Sequence, residues 1–377
     1  MLVDELTREL KSQARRAGFD LVGVCPAVTP SGLHHLHAWL DAGCAGQMHY
    51  LPSRREAYEH PRHILGGVRS LVMLGMPYRT AEPAACRAGQ GRISRYAWGA
   101  ADYHDVIHKR LRQVAEWLAE QSPGASVRGV VDTAPLLERE FARLAGLGWI
   151  GKNTLLINRD AGSWFFLAAL LADVELEYDP PHECEHCGTC RACLDACPTQ
   201  AFPRPYVLDA TRCISYLTIE LRGNVSPRLR ADTGDWLFGC DICQEVCPWN
   251  RRAPISGEPA FAPVADANPV PLAELFALTD EEFRSRFRRT PLWRAKRRGL
   301  LCNAALVAAH QRAGELVDAL VRGLQDVEPL VRGACAWALG CYEQAHARRA
   351  LQDRLAQEDD PQVREEIAAA LNRKEDC

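Results

Sequence analysis

Apolar and polar positions in the N-terminal half of the chain predict a mixture of helices and strands. Residues 33–40 place their apolar side chains on one face of a helix. The apolar run at 70–76 predicts a buried strand, and residues 127–131 predict another. The apolar run at 163–171 fits either a strand or a buried helix. We therefore expect residues 1–178 to form an α/β or α+β domain, whose topology this pattern leaves open.

The C-terminal part of the chain, residues 271–377, has a helical pattern with an internal repeat. The segment Pro329–Leu339 aligns with Pro361–Leu371 at an offset of 32 residues, with matching Pro, Val, Arg, Ala and Leu. Helices that open with proline at this period are similar to HEAT-like repeats, which stack helix pairs into a solenoid. Residues 300–310 are a candidate earlier copy. The alternative is two similar amphipathic helices in a small bundle.

Composition adds a redox signal to this picture. The chain has 377 residues, a length that suggests two or three domains, and nine of its 16 cysteines lie within residues 181–250. The N-terminus predicts a charged amphipathic helix without the apolar core of a signal peptide, and no apolar run is long enough to span a membrane. We therefore expect a cytoplasmic protein with no membrane segment, where clustered cysteines indicate metal or redox chemistry. Residues 251–270, rich in Pro and Ala, predict a linker.

The cysteine spacing is that of a ferredoxin with two [4Fe–4S] clusters, and it defines a predicted domain at 179–256. The run C-x2-C-x2-C-x3-C-P occurs at residues 187–198, and C-x2-C-x3-C-P at 240–248, with a further cysteine upstream. In this spacing the fourth cysteine of a run serves the other cluster. One cluster is predicted to use Cys187, Cys190, Cys193 and Cys247, and the other Cys240, Cys243, Cys197 and Cys213. Two zinc knuckles are the alternative. Cys184 is interpreted as a spare thiol.

Two clusters so close together predict delivery of single electrons to an acceptor in the N-terminal domain. The glycines at 146, 148 and 151 match a dinucleotide-binding fingerprint, but they follow a helical pattern instead of a strand. We interpret them as a helix C-cap and turn.

Four blocks, together with the cysteine pattern, are similar to the epoxyqueuosine reductase family. They are ISRYAWGAADYH at 93–104, VDTAPLLER at 131–139, AGLGWIGKN at 145–153 and RCISYLTIE at 212–220. The resemblance covers nearly residues 1–300. It implies a multidomain α+β protein with an α/β cobalamin-binding domain, a ferredoxin-like domain and helical repeats. It also implies reduction of epoxyqueuosine to queuosine at the wobble position of tRNA, with electrons passing through two [4Fe–4S] clusters to cobalamin.

The resemblance further implies roles for single residues. Asp132 would protonate the departing epoxide oxygen, whereas its sequence context alone favours a helix N-cap. Several residues lie in blocks similar to cobalamin-contacting segments, and ordinary turn or capping chemistry is the alternative for each. With Asp132 they are Tyr96, Lys152, Asn153, Asn158, Ser163 and Ser215.

A basic segment at residues 284–298 is the predicted tRNA contact. It holds eight cations and no acid, and without it the remaining chain has a formal net charge of −11. The cations are Arg284, Arg286, Arg288, Arg289, Arg294, Lys296, Arg297 and Arg298. A solvated helix face is the alternative. The interleaved Phe283, Phe287 and Trp293 favour anchoring to the core over base stacking.

The expected partners are therefore tRNA carrying epoxyqueuosine and a low-potential electron donor, acting on a monomer. A small-molecule cobalamin-dependent reductase and an iron–sulfur electron carrier remain alternative functions. The basic segment and the repeats argue against the first alternative. The second leaves the N-terminal domain without a role.

Overall fold

The computed structural model describes residues 2–373, so the outermost residues of the two terminal domains predicted above lie outside it. The α-helices are α1 (Val3–Arg16), α2 (Leu33–Asp41), α3 (Tyr103–Gln121), α4 (Glu138–Leu144), α5 (Ala192–Asp195), α6 (Ile214–Ile219), α7 (Pro227–Arg230), α8 (Ile242–Glu245), α9 (Leu272–Leu275), α10 (Asp280–Phe287), α11 (Lys296–Gln311), α12 (Val317–Gly323), α13 (Pro329–Leu339), α14 (Ala345–Leu355) and α15 (Pro361–Asn372). Among the described residues, no helix combines the length and apolar character needed to cross a membrane.

The strands are short except for two that form the centre of the main sheet. They are β1 (Leu21–Pro26), β2 (Ser70–Pro77), β3 (Gln90–Ile93), β4 (Val127–Val130), β5 (Trp149–Ile150), β6 (Leu156–Ile157), β7 (Phe165–Ala172), β8 (Trp236–Phe238) and β9 (Val270–Pro271).

The chain forms two compact units, each built from separate stretches of sequence. The first contains Met1–Ala81, Ala101–Thr211 and Ile242–Phe261, and the second contains the remainder. The segment 179–256, predicted as the cluster domain, is therefore divided between the two units. Residues 251–270 are also not a free linker, because Ala253, Phe261 and Ala267 are buried. The composition of this segment, rich in Pro and Ala, does not show which of its apolar side chains pack against the rest of the protein.

The first unit is organised around a four-stranded antiparallel sheet in the order β1-β2-β7-β4. Every residue of β2 is buried, as the apolar run at 70–76 predicts. The run at 163–171 becomes a strand, β7, and pairs with β2 over eight residues. The strand interpretation is correct. The strands β2 and β4 pair with the two edges of β7, so β7 is an inner strand of the sheet.

Helices of the first unit hold the end of β4 in place. Helix α4 packs against β2 and β7, where Phe141 and Ala142 are buried, and α3 packs on β4. Gly129 of β4 leaves no room for a side chain, since a Cβ there would lie 3.0 Å from the Cβ of Leu111 in α3. This close packing fixes the point at which the chain leaves β4 for the loop that carries Asp132.

The glycine run after α4 forms a turn, as predicted, and not a dinucleotide site. Helix α4 ends at Leu144, and Gly146 has φ +76°. A Cβ at Gly148 would lie 2.1 Å from the carbonyl oxygen of Ile157. Both glycines are thus required by backbone geometry.

The second unit combines a three-stranded sheet, ordered β8-β3-β9, with the C-terminal helices. Helix α13 packs against α11, α12 and α15, and α14 packs against α15. The repeated helices begin at Pro329 and Pro361, each at the first helical turn, where proline costs no backbone hydrogen bond. The helical expectation for this region is confirmed.

Candidate active site

Asp132 lies on the loop between β4 and α4, in a left-handed backbone conformation with φ +56°. Helix α4 begins only at Glu138, and its N-cap position is Leu137. The N-cap interpretation of Asp132 is therefore wrong, because five non-helical residues separate Asp132 from the start of α4. A non-glycine residue held at positive φ is uncommon and costs about 1 kcal/mol or more, which its surroundings must compensate.

The Asp132 carboxylate faces two side chains from the start of α3. The Tyr103 hydroxyl donates a hydrogen bond to Asp132 Oδ2 at 2.8 Å, and His104 Nε2 lies 3.5 Å from the same oxygen. The Tyr103 ring stacks on Phe166 of β7, with ring centroids 4.2 Å apart. This stacking holds the hydroxyl in place and so orients the carboxylate.

His104 is held between two carboxylates. Its Nδ1 lies 2.7 Å from Asp102 Oδ1, and Asp102 also caps α3 by accepting the His104 main-chain N–H at 3.0 Å. Burial opposes the charged imidazolium, but the contacts with Asp102 and Asp132 outweigh it and raise the pKa of His104 to about 9. The imidazole is therefore protonated near neutral pH.

Glu138 supports the backbone of the Asp132 loop. Its Oε1 accepts a hydrogen bond from the Asp132 main-chain N–H at 2.9 Å. Burial, with the Asp132 charge in addition, raises the pKa of Glu138 to about 8. At neutral pH this side chain therefore carries a proton next to Asp132.

Arg139 lies near both the Asp132 loop and a predicted cluster ligand. Its guanidinium donates to the Thr154 carbonyl at 3.0 Å. Burial lowers the pKa of Arg139, and nearby Glu138, Asp132 and Cys243 oppose that effect. Its side chain nevertheless remains accessible to solvent. Arg139 therefore places an accessible cation near both Asp132 and Cys243.

Sequence reasoning missed four of these residues: Tyr103, His104, Glu138 and Arg139. Each lies inside a block that carries the family resemblance, at 93–104 or 131–139, so the signal was present. Their roles follow only from the loop geometry.

Three residues predicted to contact cobalamin, Lys152, Asn153 and Asn158, make hydrogen bonds within the first unit. Lys152 Nζ donates to the carbonyls of Gly188 and Cys190 at 2.6 and 2.9 Å, inside the predicted cluster loop. Asn153 Nδ2 lies 3.5 Å from the Cys243 carbonyl. Asn158 Oδ1 accepts hydrogen bonds from two main-chain N–H groups at 2.9 Å. This is the turn chemistry that the sequence offered as the alternative to cobalamin contact for this residue.

The remaining predicted contacts are distributed over both units. Ser163 is buried, and its hydroxyl accepts from Gln244 and Asn250 at 3.0 and 2.9 Å. Tyr96 and Ser215 belong to the second unit, where the Tyr96 ring lies 6.2 Å from Phe238. Contact of any of these six residues with cobalamin stays a prediction.

Four cysteines predicted to share one cluster come together in the first unit. Burial raises the pKa of Cys193 to about 11, and the thiols of Cys247, Cys187 and Cys190 add to this. Thiols this close repel one another as thiolates, and the positive charge of a metal cluster removes that penalty by binding the deprotonated form. Trp149 and Trp249 pack against Cys187 and Cys247 of this group. The donor set therefore fits an iron–sulfur cluster.

The second predicted set is divided in the chain: Cys197 and Cys243 lie in the first unit, and Cys213 and Cys240 in the second. Cys197 Sγ accepts a hydrogen bond from the Ala201 main-chain N–H at 3.3 Å, an interaction typical of cluster-bound sulfur. Within residues 2–373, no three His, Cys, Asp or Glu side chains converge tightly enough to bind a single metal ion. The exposed Cys184 belongs to neither predicted set.

The basic segment divides into engaged and free cations. Arg286, Arg294 and Arg297 form ion pairs with Glu274, Glu220 and Asp326, respectively. Lys296 Nζ lies 4.2 Å from the Trp293 ring centroid. Four guanidinium groups have no hydrogen bond or ion pair with any residue of the described chain: Arg284, Arg288, Arg289 and Arg298. Phe283 and Phe287 are buried, in agreement with the anchoring interpretation.

Comparison with known proteins places this geometry in one family. The family model described as "Epoxyqueuosine reductase QueG, DUF1730" matches residues 59–133. The 4Fe–4S double cluster binding domain matches residues 186–250, and HEAT repeats match residues 296–372. The last match supports the repeat interpretation over a simple bundle.

Relatives and solved structures cover nearly the whole chain. Epoxyqueuosine reductase of Pseudomonas aeruginosa is 41% identical over 89% of this chain and 94% of its own, and that of Escherichia coli is 36% identical over 89% of both. A crystal structure of epoxyqueuosine reductase with an epoxyqueuosine-modified tRNA-Tyr stem loop matches with a TM-score of 0.91 and 29% identity. It covers 97% of this chain and 98% of that one. Because it is 41% identical to the Pseudomonas aeruginosa reductase over 89% of its length, the chain belongs to the epoxyqueuosine reductase family.

Proposed function

We propose that this enzyme reduces epoxyqueuosine to queuosine at the wobble position of tRNA. The similarity to the Pseudomonas aeruginosa reductase over 89% of the chain is the observation that carries the proposal. Conversion of an epoxide to an alkene with loss of water consumes two electrons and two protons. The protein must therefore bind a redox group, hold proton donors near the oxygen and bind the RNA.

The residues present fit the implied redox groups. Cys187, Cys190, Cys193 and Cys247 would hold one [4Fe–4S] cluster, and Cys197, Cys213, Cys240 and Cys243 the other. Arg139, whose charge lies near both Asp132 and Cys243, supports placement of cobalamin on the accessible surface there. When bound, these groups would supply two electrons one at a time, passed through the clusters to cobalamin.

Asp132 is proposed as the acid that protonates the departing oxygen. Tyr103 orients its carboxyl group through the 2.8 Å hydrogen bond. His104, protonated near neutral pH and 3.5 Å away, can return a proton after the transfer. Glu138 positions the loop through the Asp132 main-chain N–H.

The Asp132 loop is proposed to move during the reaction cycle. A structure of the Bacillus subtilis enzyme, 28% identical over 97% of this chain, shows its catalytic aspartate loop swung out of the active site. Here the main chain of the loop is held by the hydrogen bond from the Asp132 N–H to Glu138 and by the one from Arg54 to the Thr133 carbonyl, both of which would have to break for the loop to open.

The tRNA is proposed to contact the four free guanidinium groups of the segment 284–298. An arginine without a protein partner can bind a phosphate without first breaking an ion pair. We also propose a cytoplasmic monomer that accepts electrons from a low-potential donor protein.

Asp132→Asn tests the catalytic assignment. The amide cannot supply a proton, so we expect at least a hundredfold loss of single-turnover rate on an epoxyqueuosine-modified stem loop. Iron content, cobalamin content and RNA affinity should match those of the wild type. Wild-type turnover in the variant would refute the role of Asp132, and absence of turnover in the loaded wild-type enzyme would refute the proposed reaction.

A further inference from the structure

A basic cleft of about 360 Å³ lies in the first unit beside the Asp132 loop. Its polar lining consists mainly of two arginines, Arg54 and Arg128, and two histidines, His63 and His108; burial lowers the pKa of His108, so that imidazole is uncharged near neutral pH. The loop itself forms one wall through residues 133–135, and the rest is apolar or glycine. None of the ten described lining residues is acidic, so nothing within the cleft neutralises the arginines.

Both arginines are held by the protein backbone but retain free donors. Arg54 Nη1 donates to the Thr133 carbonyl at 2.9 Å, and Arg128 Nη1 donates to the Ile64 carbonyl at 2.8 Å. A guanidinium has five N–H donors, so each of these bonds leaves others available. The backbone contacts hold both cations at the cleft wall and so reduce the entropy lost when a ligand binds.

We propose that this cleft binds a phosphate group and that an occupied cleft steadies the Asp132 loop. An arginine can bind phosphate through two parallel hydrogen bonds. The cleft has room for a phosphate with its attached sugar. The RNA backbone next to the modified nucleotide is the favoured source, because the cleft and Asp132 share one loop. This inference rests on the proposed function for the identity of the RNA.

The coupling to the loop passes through Arg54. Arg54 donates a hydrogen bond to the carbonyl of Thr133, the residue after Asp132. The backbone of Asp132 itself has φ +56°. A phosphate that holds the Arg54 guanidinium also holds this bond and favours the observed loop conformation. Ligand binding would thereby place the acid only when substrate is present.

The first test measures RNA binding to the full-length, cluster-loaded protein. The probe is a fluorescent anticodon stem loop, with anisotropy recorded from about 50 to about 200 mM salt. The variants are Arg54→Gln and Arg128→Gln, and the controls are Arg62→Gln and Lys109→Gln. The two control residues are exposed neighbours of His63 and His108 that do not line the cleft. We expect each cleft variant to bind about three- to tenfold more weakly, with a salt slope reduced by about 0.7, and the controls to match the wild type.

The second test identifies the source of the phosphate. The nucleotide tail of cobalamin also contains a phosphodiester, so cobalt retained after gel filtration is measured for the same proteins. If the cleft variants retain less cobalt but bind RNA as the wild type does, the phosphate in the cleft belongs to the cofactor. That result would overturn the RNA assignment. Unchanged RNA affinity and unchanged cobalt in both cleft variants would overturn the proposal.

The third test addresses the loop. Hydrogen exchange at residues 131–137 should slow on addition of the stem loop to the wild type, but not to Arg54→Gln. Arg128 donates to Ile64 and not to the loop. If Arg128→Gln also fails to slow exchange, the cause is therefore weaker binding of the stem loop. Because none of these readouts requires turnover, they stand or fall separately from the proposed reaction.

Discussion

At the scale of single residues, the neighbours of Asp132 have different roles: one orients its carboxyl group, one carries a positive charge and one holds a proton. Tyr103 orients the carboxyl group, His104 carries a positive charge, and Glu138 holds a proton while bonded to the Asp132 backbone. In the proposed reaction, Asp132 and His104 would supply the protons that loss of the epoxide oxygen as water consumes.

Glu138→Gln should change the pH dependence of the reaction. In the wild type we expect the single-turnover rate to fall as pH rises through about 8, because ionised Glu138 adds a negative charge beside Asp132 that opposes release of its proton. Glutamine stays neutral, so the variant should keep its rate to about pH 9, where His104 loses its proton.

The control for this experiment is Glu120→Gln, an exposed acid in the last turn of α3. It should reproduce the wild-type profile. An identical profile in Glu138→Gln would show that Glu138 does not titrate in the reaction.

At the scale of elements, a buried carboxylate holds the last helices of the second unit together. Glu358, between α14 and α15, is 2% exposed and accepts hydrogen bonds from Arg332 of α13 at 2.7 and 2.8 Å. Arg354 of α14 donates to it at 2.9 Å. The bonds from Arg332 outweigh burial and hold the pKa of Glu358 at about 2.

Glu358→Gln should destabilise these helices by about 3 kcal/mol near neutral pH. The folded-state pKa lies below the unfolded value of about 4.5, so the stabilisation is complete above that value. It is lost as pH falls towards about 2. The difference in Tm between wild type and variant should therefore shrink in acid, as thermal unfolding monitored by circular dichroism can show.

Glu365→Gln, an exposed acid on α15, serves as the matched control and should leave Tm unchanged. A constant Tm difference between pH 7 and pH 3 for Glu358→Gln would contradict the ionic account.

At the scale of the whole molecule, a slightly acidic chain contains one segment with a strong excess of positive charge. The net charge is −3, yet residues 284–298 contain eight cations and no acid. Ion pairs neutralise part of that segment, so its contribution to RNA affinity depends on the four free arginines.

Arg288→Glu with Arg289→Glu should weaken binding of a tRNA stem loop by at least tenfold and flatten its salt dependence, because two phosphate contacts are lost. Arg15→Glu with Arg16→Glu on α1 makes the same change in net charge on exposed residues and should bind normally. Equal losses in both double variants would indicate a general charge effect and not a local contact. Anisotropy titrations at several salt concentrations measure both quantities.

Metal content tests the assignment of cofactors for the whole chain. Protein purified anaerobically with cobalamin should contain about eight iron and one cobalt per chain, since each [4Fe–4S] cluster holds four iron ions. The matched variant Cys193→Ser should lose about four iron, whereas Cys184→Ser should lose none. Zinc in place of iron would refute the cluster assignment.

Local patterns determined those features whose cause is local. The buried strand β2, the proline-opened helices α13 and α15, and the glycine turn after α4 depend on periodicity, ring geometry and backbone freedom. Cysteine spacing likewise determined the double cluster motif, because a short loop dictates which thiols can surround one cluster. The Asp132 assignment came from similarity of a sequence block.

Only the tertiary structure decided the remainder, because it depends on residues distant in sequence meeting in space. The strand identity of β7 required its neighbours in the sheet, and the two units draw their segments from along the chain. Asp132 is not an N-cap because α4, which packs on β2 and β7, begins only at Glu138. The pKa shifts of His104 and Glu138 arise from burial and from charges brought together by that packing, which no linear pattern contains.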